Sequence, residues 1–190
     1  MESIRTLEDL RAVVGEPSAL TVGKIYDRLN QQAADFISRS PFLVMATVDA
    51  DGMPTASPKG DEPGFVRQTD EHTLYMPERK GNRLVVSYQN LLANPRVGLL
   101  FLLPNCSETL RVSGHAELVT DEAMCQEMSA RGNPAILLLK LTVTEAYFHC
   151  GKAFIRSGLW QPDSWPEASR VSFGREIGDN AGKDEAFVED

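Results

Sequence analysis

Positive charge is scarce in this chain. Nineteen Lys and Arg stand against 27 Asp and Glu, a formal net charge of -8. Such a chain has no cationic surface with which to displace counterions from nucleic acid or to dock on anionic lipid, so neither is expected as a partner. No stretch is long and apolar enough to span a bilayer. The first residues, MESIRTLEDLRAVV, have neither the cationic start nor the continuous apolar run of a secretory signal, and a cytoplasmic protein is expected. Cysteine is equally sparse. Cys106, Cys125 and Cys150 are odd in number and scattered, which excludes a disulfide framework and fits free thiols in a reducing compartment. His72, His115 and His149 lie far apart and make no metal-ligand spacing with the cysteines. His149 and Cys150 are neighbours, but adjacent side chains on a strand point to opposite faces, which leaves no catalytic pair. His115 reads as a half-buried strand histidine. Nucleophile elbow, Walker loop and dinucleotide fingerprint are all missing, as are internal repeats.

What is present is an ordered alternation of helical and strand patterns. Thr6 can cap a first helix, with Asp9 three residues on. Ser18 can start a second, in which Val22, Ile25, Tyr26, Leu29, Ala33, Phe36 and Ile37 fall on one face as core or subunit contact. Phe42–Val48 reads as a strand, and Asp49-Ala50-Asp51-Gly52 as the turn of a hairpin leading to Pro54–Ser57. Phe65–Gln68 and Thr73–Met76 flank a polar turn. Val97–Leu103 is apolar throughout, so both faces are expected to be covered. Thr109–Val119 alternates, with Gly114 as a bulge or bend. Thr120 can cap a short helix from Asp121, Ala135–Tyr147 forms a long last strand, and Lys152–Leu159 adds a helical turn or two. After Trp160 periodicity ends, and weak order is expected after Gly174. The pattern predicts a mainly β protein with flanking helices. It has roughly six hairpin-connected strands in a small antiparallel barrel.

The most informative segment is Pro77–Val97, PERKGNRLVVSYQNLLANPRV. It gathers Arg79, Lys80 and Arg83 around Gly81-Asn82 and runs into a helix whose stripe is Leu84, Val85, Tyr88, Leu91 and Leu92. Asn94-Pro95 ends that helix. A glycine turn at a helix start presents free N–H groups and the positive end of the dipole, and arginine adds a fork suited to phosphate oxygens. Two readings stand side by side, a phosphate grip and a solvated basic turn.

The order of FLVMATVDADGMPTASPKGD, GNRL, NPRVGLLFLLP, ETLRVSGHAEL and YFHCGKAFIRSGLW resembles the pyridoxamine 5'-phosphate oxidase-like flavoproteins, over about residues 35 to 165. The resemblance implies a six-stranded antiparallel FMN-binding split β-barrel at 41–160. A helical segment, 1–40, would pack on it, and an acidic, partly disordered extension would occupy 161–190. It implies a homodimer with FMN at the subunit interface and a small-molecule substrate. By position, Ser57, Pro58, Lys59, Gly60 and Asp61 would hold the ring system, and Asn82 and Arg83 the phosphate. Lys59 would supply the cation that stabilises the reduced flavin, or a phosphate contact; otherwise it is a surface lysine. Arg67 is a further phosphate candidate or a plain strand cation. Lys152 and Arg156, four residues apart on one helix face, and Trp160 would come from the other subunit.

Ser57 stands where the vitamin-forming oxidases carry their first FMN arginine, and the acidic C-terminus does not supply their arginine-bearing ending. Pyridoxamine phosphate oxidation is therefore not expected. The expectation is FMN-dependent oxidoreduction with no assignable general acid or base. The alternatives are a non-catalytic FMN binder for storage or sensing, and a split barrel that uses haem or a deazaflavin.

Overall fold

A computed structural model describes residues 3–174 and 178. The chain divides after Trp160 into two compact units. The first contains helices α1 (Leu7–Val14), α2 (Ala19–Val22), α3 (Gln31–Arg39), α4 (Val86–Ala93), α5 (Glu122–Glu127) and α6 (Lys152–Ser157). It also contains strands β1 (Phe42–Val48), β2 (Pro54–Gly60), β3 (Arg67–Asp70), β4 (Thr73–Pro77), β5 (Arg96–Leu102), β6 (Thr109–Val119) and β7 (Leu138–His149). In the second unit, Pro162–Ser164 form a single 3-10 turn. The expectation of weak order after Gly174 falls on residues 175–190, of which all but Gly178 lie outside the described ones.

The strands form one antiparallel sheet in the order β2-β1-β5-β6-β7-β4-β3. This is the expected mainly β architecture with flanking helices, with seven strands rather than six. β3, which begins two residues later than the expected Phe65–Gln68 segment, is a four-residue edge strand that pairs with β4 alone. Alternation sets the inner face. Leu43 and Met45 of β1, Leu99 and Phe101 of β5, and Leu110 and Val112 of β6 are almost fully buried, at the two-residue spacing that sends side chains to one side of a strand. β5 alternates too, so its outer face is less covered than its composition suggested. The β1–β2 turn is built by Asp49, whose carboxylate accepts from the amides of Asp51 (2.9 Å) and Met53 (2.8 Å). Gly52 follows at φ 87°, where glycine alone carries no penalty.

The edge strand β2 meets the segment after β4, the last strand but one on the other side, without a backbone ladder. β2 and β4 are not neighbours in the strand order. Even so, Lys59 Nζ of β2 lies 2.9 Å from Glu78 Oε2, just beyond β4, and Arg79 Nε lies 2.8 Å from Asp61 Oδ2. The seam of the barrel is thus closed by two ion pairs of opposite sense.

Two helical expectations need correction. The stripe from Val22 to Ile37 is not one helix. α2 ends at Gly23, and Asn30 caps a new helix by accepting from the Ala33 amide at 2.9 Å. Leu29, Ala33, Phe36 and Ile37 join the core, whereas Val22, Ile25 and Tyr26 stay exposed. Tyr26 instead makes a short bridge to Ala146 of β7. Similarly, α4 begins at Val86, five residues after Gly81, because Arg83 (φ 64°) and Val85 (φ 44°) are both left-handed. Its buried side chains are Ser87, Tyr88, Asn90 and Leu91, while Leu84, Val85 and Leu92 are exposed. The buried Asn90 amide donates to both Thr47 Oγ1 and Thr55 Oγ1 at 3.0 Å, which locks α4 onto the β1–β2 hairpin. Lesser differences are that Asp121, not Thr120, caps α5, and that His115 is exposed rather than half-buried.

Candidate functional site

A cleft of about 620 Å³ opens beside the seam, lined by Ser57–Lys59 of β2, by the Glu78–Tyr88 segment, and by Ile136 and Leu137 before β7. That size is typical of a pocket for a drug-sized ligand. The lining is mixed: Leu84, Val85, Val86 and Ile136 border the same space as Lys80 and Arg83. Ser87 of α4 and Ser57 of β2 join at 2.7 Å between their hydroxyls, which fixes the first turn of the helix against the strand.

The cations of this segment have different roles. Arg79 is committed: besides Asp61 it donates from Nη1 to the Met128 carbonyl at 2.7 Å. Lys59 is held by Glu78 and lies 4.6 Å above the Tyr88 ring, within cation–π range. Lys80 and Arg83 are exposed and, among the described residues, form no ion pair. These two are the cations open to an anionic ligand. Asn82 shapes the loop by accepting from the Leu84 amide at 3.0 Å.

Of the residues expected at the site, Ser57, Pro58, Lys59, Asn82 and Arg83 share this cleft. Gly60 is not among its lining residues, and Asp61 is turned to Arg79 and a smaller neighbouring hollow. Lys152 and Arg156 are exposed on α6 and are not among the residues that line the cleft. Trp160 stacks on Phe154 with ring centroids 5.7 Å apart, and its Nε1 donates to the Cys106 carbonyl at 2.8 Å. Arg67 pairs with Glu127 at 2.6 Å and is an ordinary structural cation.

The sequence reading missed Glu78 and Tyr88. Glu78 accepts from the Tyr88 hydroxyl and from Lys59 through the same oxygen. Burial pushes the Tyr88 phenol well up, and the Glu78 hydrogen bond and charge push it further, so it remains a donor. An acid amid the cations of PERK was visible, but its partner on β2 was not. No cluster of three His, Cys, Asp or Glu that could hold a metal occurs among the described residues.

Asp61 yields a pH prediction. Burial alone would raise its carboxyl, but the Glu62 amide, the Arg79 hydrogen bond and charge, and the Arg131 charge more than offset this, holding it below the ordinary 3.8. A carboxyl depressed in the folded state contributes stability that is complete above the ordinary value and is lost as pH falls through the folded value. The melting temperature of the native protein should therefore exceed that of Asp61→Asn by a constant margin above about pH 5, and the margin should shrink toward about pH 3. A margin independent of pH would remove the charge from the seam.

Comparison with known proteins places the chain. Over 122 residues it is 32% identical to the pyridoxine/pyridoxamine 5'-phosphate oxidase of Bordetella petrii, covering 62% of this chain and 43% of that one. The chain thus matches less than half the length of that curated relative. The structure of HupZ from Group A Streptococcus superposes with a TM-score of 0.53 at 22% identity, over 63% of this chain and 93% of that one, a likeness of fold. Residues 29–150, most of the chain, match the family model for pyridoxamine 5'-phosphate oxidase, and the chain belongs to that family.

Proposed function

We propose that this protein is an FMN-dependent oxidoreductase acting on a small molecule, a homodimer with FMN at the subunit interface, working in the cytoplasm. The observation that carries the reading is a cleft whose lining combines apolar side chains with cations that have no ion pair among the described residues. A phosphate-bearing planar ligand needs unpaired cations at one end and an apolar slot for its ring, and this cleft offers Lys80 and Arg83 beside Leu84, Val86, Ile136 and Tyr88. Its residues thus fit FMN. Arg83 and Lys80 would hold the phosphate, with the first turn of α4 adding backbone donors. Ser57, Pro58 and Lys59 would line the ring. FMN, when bound, supplies hydride and electron transfer; the protein orients and tunes it.

The dimer is supported by what one protomer leaves open. Leu84, Val86 and Ile136 are large apolar side chains exposed at the cleft mouth, and Lys152 and Arg156 extend into solvent on α6. A partner's α6 would cover the first group and bring the second to the cofactor. The cysteines are free, in keeping with a reducing compartment, and no helix among the described residues is long and apolar enough to cross a membrane.

The test is the absorbance spectrum of the purified protein, with mass identification of whatever heat releases. Flavin bands with FMN in the supernatant support the reading, and bleaching by an added electron donor extends it to catalysis. A colourless protein that takes up no added FMN refutes it, and a Soret band refutes it in favour of haem.

A further inference from the structure

The cluster formed by Lys59, Glu78 and Tyr88 has more order than phosphate binding requires. Its three members come from different elements. Lys59 sits on β2, Tyr88 on α4, and Glu78 follows β4, anchored on both sides of its backbone by hydrogen bonds to Leu137 (2.9 Å) and Ile136 (3.0 Å). The Lys59 and Glu78 side chains are 21% and 18% exposed, and Tyr88 is 3% exposed, so the charges meet in a partly desolvated place where their effects on a neighbour are strong. One Glu78 oxygen takes the Lys59 ammonium at 2.9 Å and the Tyr88 hydroxyl, and the ammonium also rests 4.6 Å over the Tyr88 ring. All three residues line the cleft.

Lys59 in this setting is not a bare cation. Its charge is offset by Glu78, whose position is in turn fixed by Tyr88. We infer that Glu78 is a positioning residue that sets the effective charge of Lys59 at the cleft wall, and so the balance between binding oxidised and reduced FMN. This rests on FMN occupying the cleft. Reduction adds negative charge to the flavin ring. A neutralised Lys59 favours the reduced form only moderately, while an unopposed Lys59 favours it strongly.

The experiment measures FMN affinity by fluorescence and the two-electron midpoint potential in the native protein and in Glu78→Gln, Lys59→Gln, their double variant and Tyr88→Phe, each checked for folding by circular dichroism. Glu78→Gln leaves Lys59 unopposed and should tighten reduced relative to oxidised FMN about tenfold, a rise of about 30 mV. Lys59→Gln leaves Glu78 unopposed and should shift the ratio about tenfold the other way. The double variant, again neutral, should return to within about threefold of the native ratio. Tyr88→Phe should move in the direction of Glu78→Gln by a smaller factor, because Glu78 loses the hydroxyl that holds it against Lys59.

A merely structural cluster would weaken both redox forms alike and leave the ratio unmoved, which overturns the inference. If Glu78→Gln does not fold, shifts in Lys59→Gln and Tyr88→Phe that are absent or reversed from those expected overturn it equally. A native protein that binds no FMN overturns the functional reading itself, whereas FMN bound with invariant potentials overturns this inference alone.

Discussion

Gly114→Ala is expected to lower the unfolding free energy by at least about 3 kcal/mol, the upper part of the range for forcing atoms into a packed interior. A Cβ at this position would lie 2.0 Å from the Thr142 carbonyl oxygen, 2.9 Å from its carbon and 2.9 Å from Leu141 Cδ1. The first two are backbone atoms of the partner strand, so no rotamer change relieves the clash. The site is the bulge of the β6–β7 ladder, where the register passes from Ser113↔Glu145 to Gly114↔Val143 and leaves Thr144 without an opposite number. β6 is bonded to β5 on its other side, and a shift to make room would disturb both ladders. Gly98→Ala is the control. Its Cβ would meet only Ala46 Cβ at 4.0 Å, and the change should stay within about 1 kcal/mol, offset in part by the stiffer unfolded chain. Urea unfolding of both variants decides the matter, and a Gly114→Ala variant as stable as Gly98→Ala would refute the close approach.

Arg83→Ala should weaken FMN binding by about 1.5–3 kcal/mol, or roughly 10- to 150-fold, the contribution of a charge-assisted hydrogen bond to phosphate. Lys80→Ala should cost less, about 1 kcal/mol, because a flexible ammonium lacks the fixed fork of a guanidinium. The backbone supplies a control for folding. Arg83 sits at φ 64°, a conformation that glycine adopts freely. Arg83→Gly therefore removes the charge while relaxing the loop, and should match the affinity loss of Arg83→Ala with a stability no lower than native. Fluorescence titration gives the affinities and thermal melting the stabilities. Unchanged FMN affinity in folded Arg83→Ala would remove this residue from the phosphate end of the cleft.

The sheet was more legible in the sequence than the helices or the site. β1 and β6 have the expected bounds, the apolar, partly β-branched run Phe42–Val48 and the alternating Thr109–Val119. Strand pattern is local and buried on one face, and the Gly114 irregularity announced itself as a glycine inside a strand. The helices are less legible because apolar spacing alone does not reveal a break in helical phase. Asn30 restarts a helix in the middle of one stripe, and left-handed Arg83 and Val85 delay another, so Leu84 and Val85 lie outside α4. Such backbone states are poorly signalled by arginine and valine, which rarely adopt them. In the site, Ser57, Lys59, Asn82 and Arg83 do face one cleft. The pairing of Lys59 with Glu78 was hidden, since it depends on β2 and the segment after β4 meeting although four strands lie between them in the sheet.

The charge-closed seam has a further consequence for how the cleft breathes. A continuous ladder between β2 and β4 would have to lose a row of cooperative backbone bonds before the walls could part. Here they are joined by two partly exposed ion pairs, which salt weakens and which separate singly. Local opening at this edge is therefore decoupled from global unfolding. On the proposed reading, FMN would then enter and leave without loss of the other ladders of the sheet.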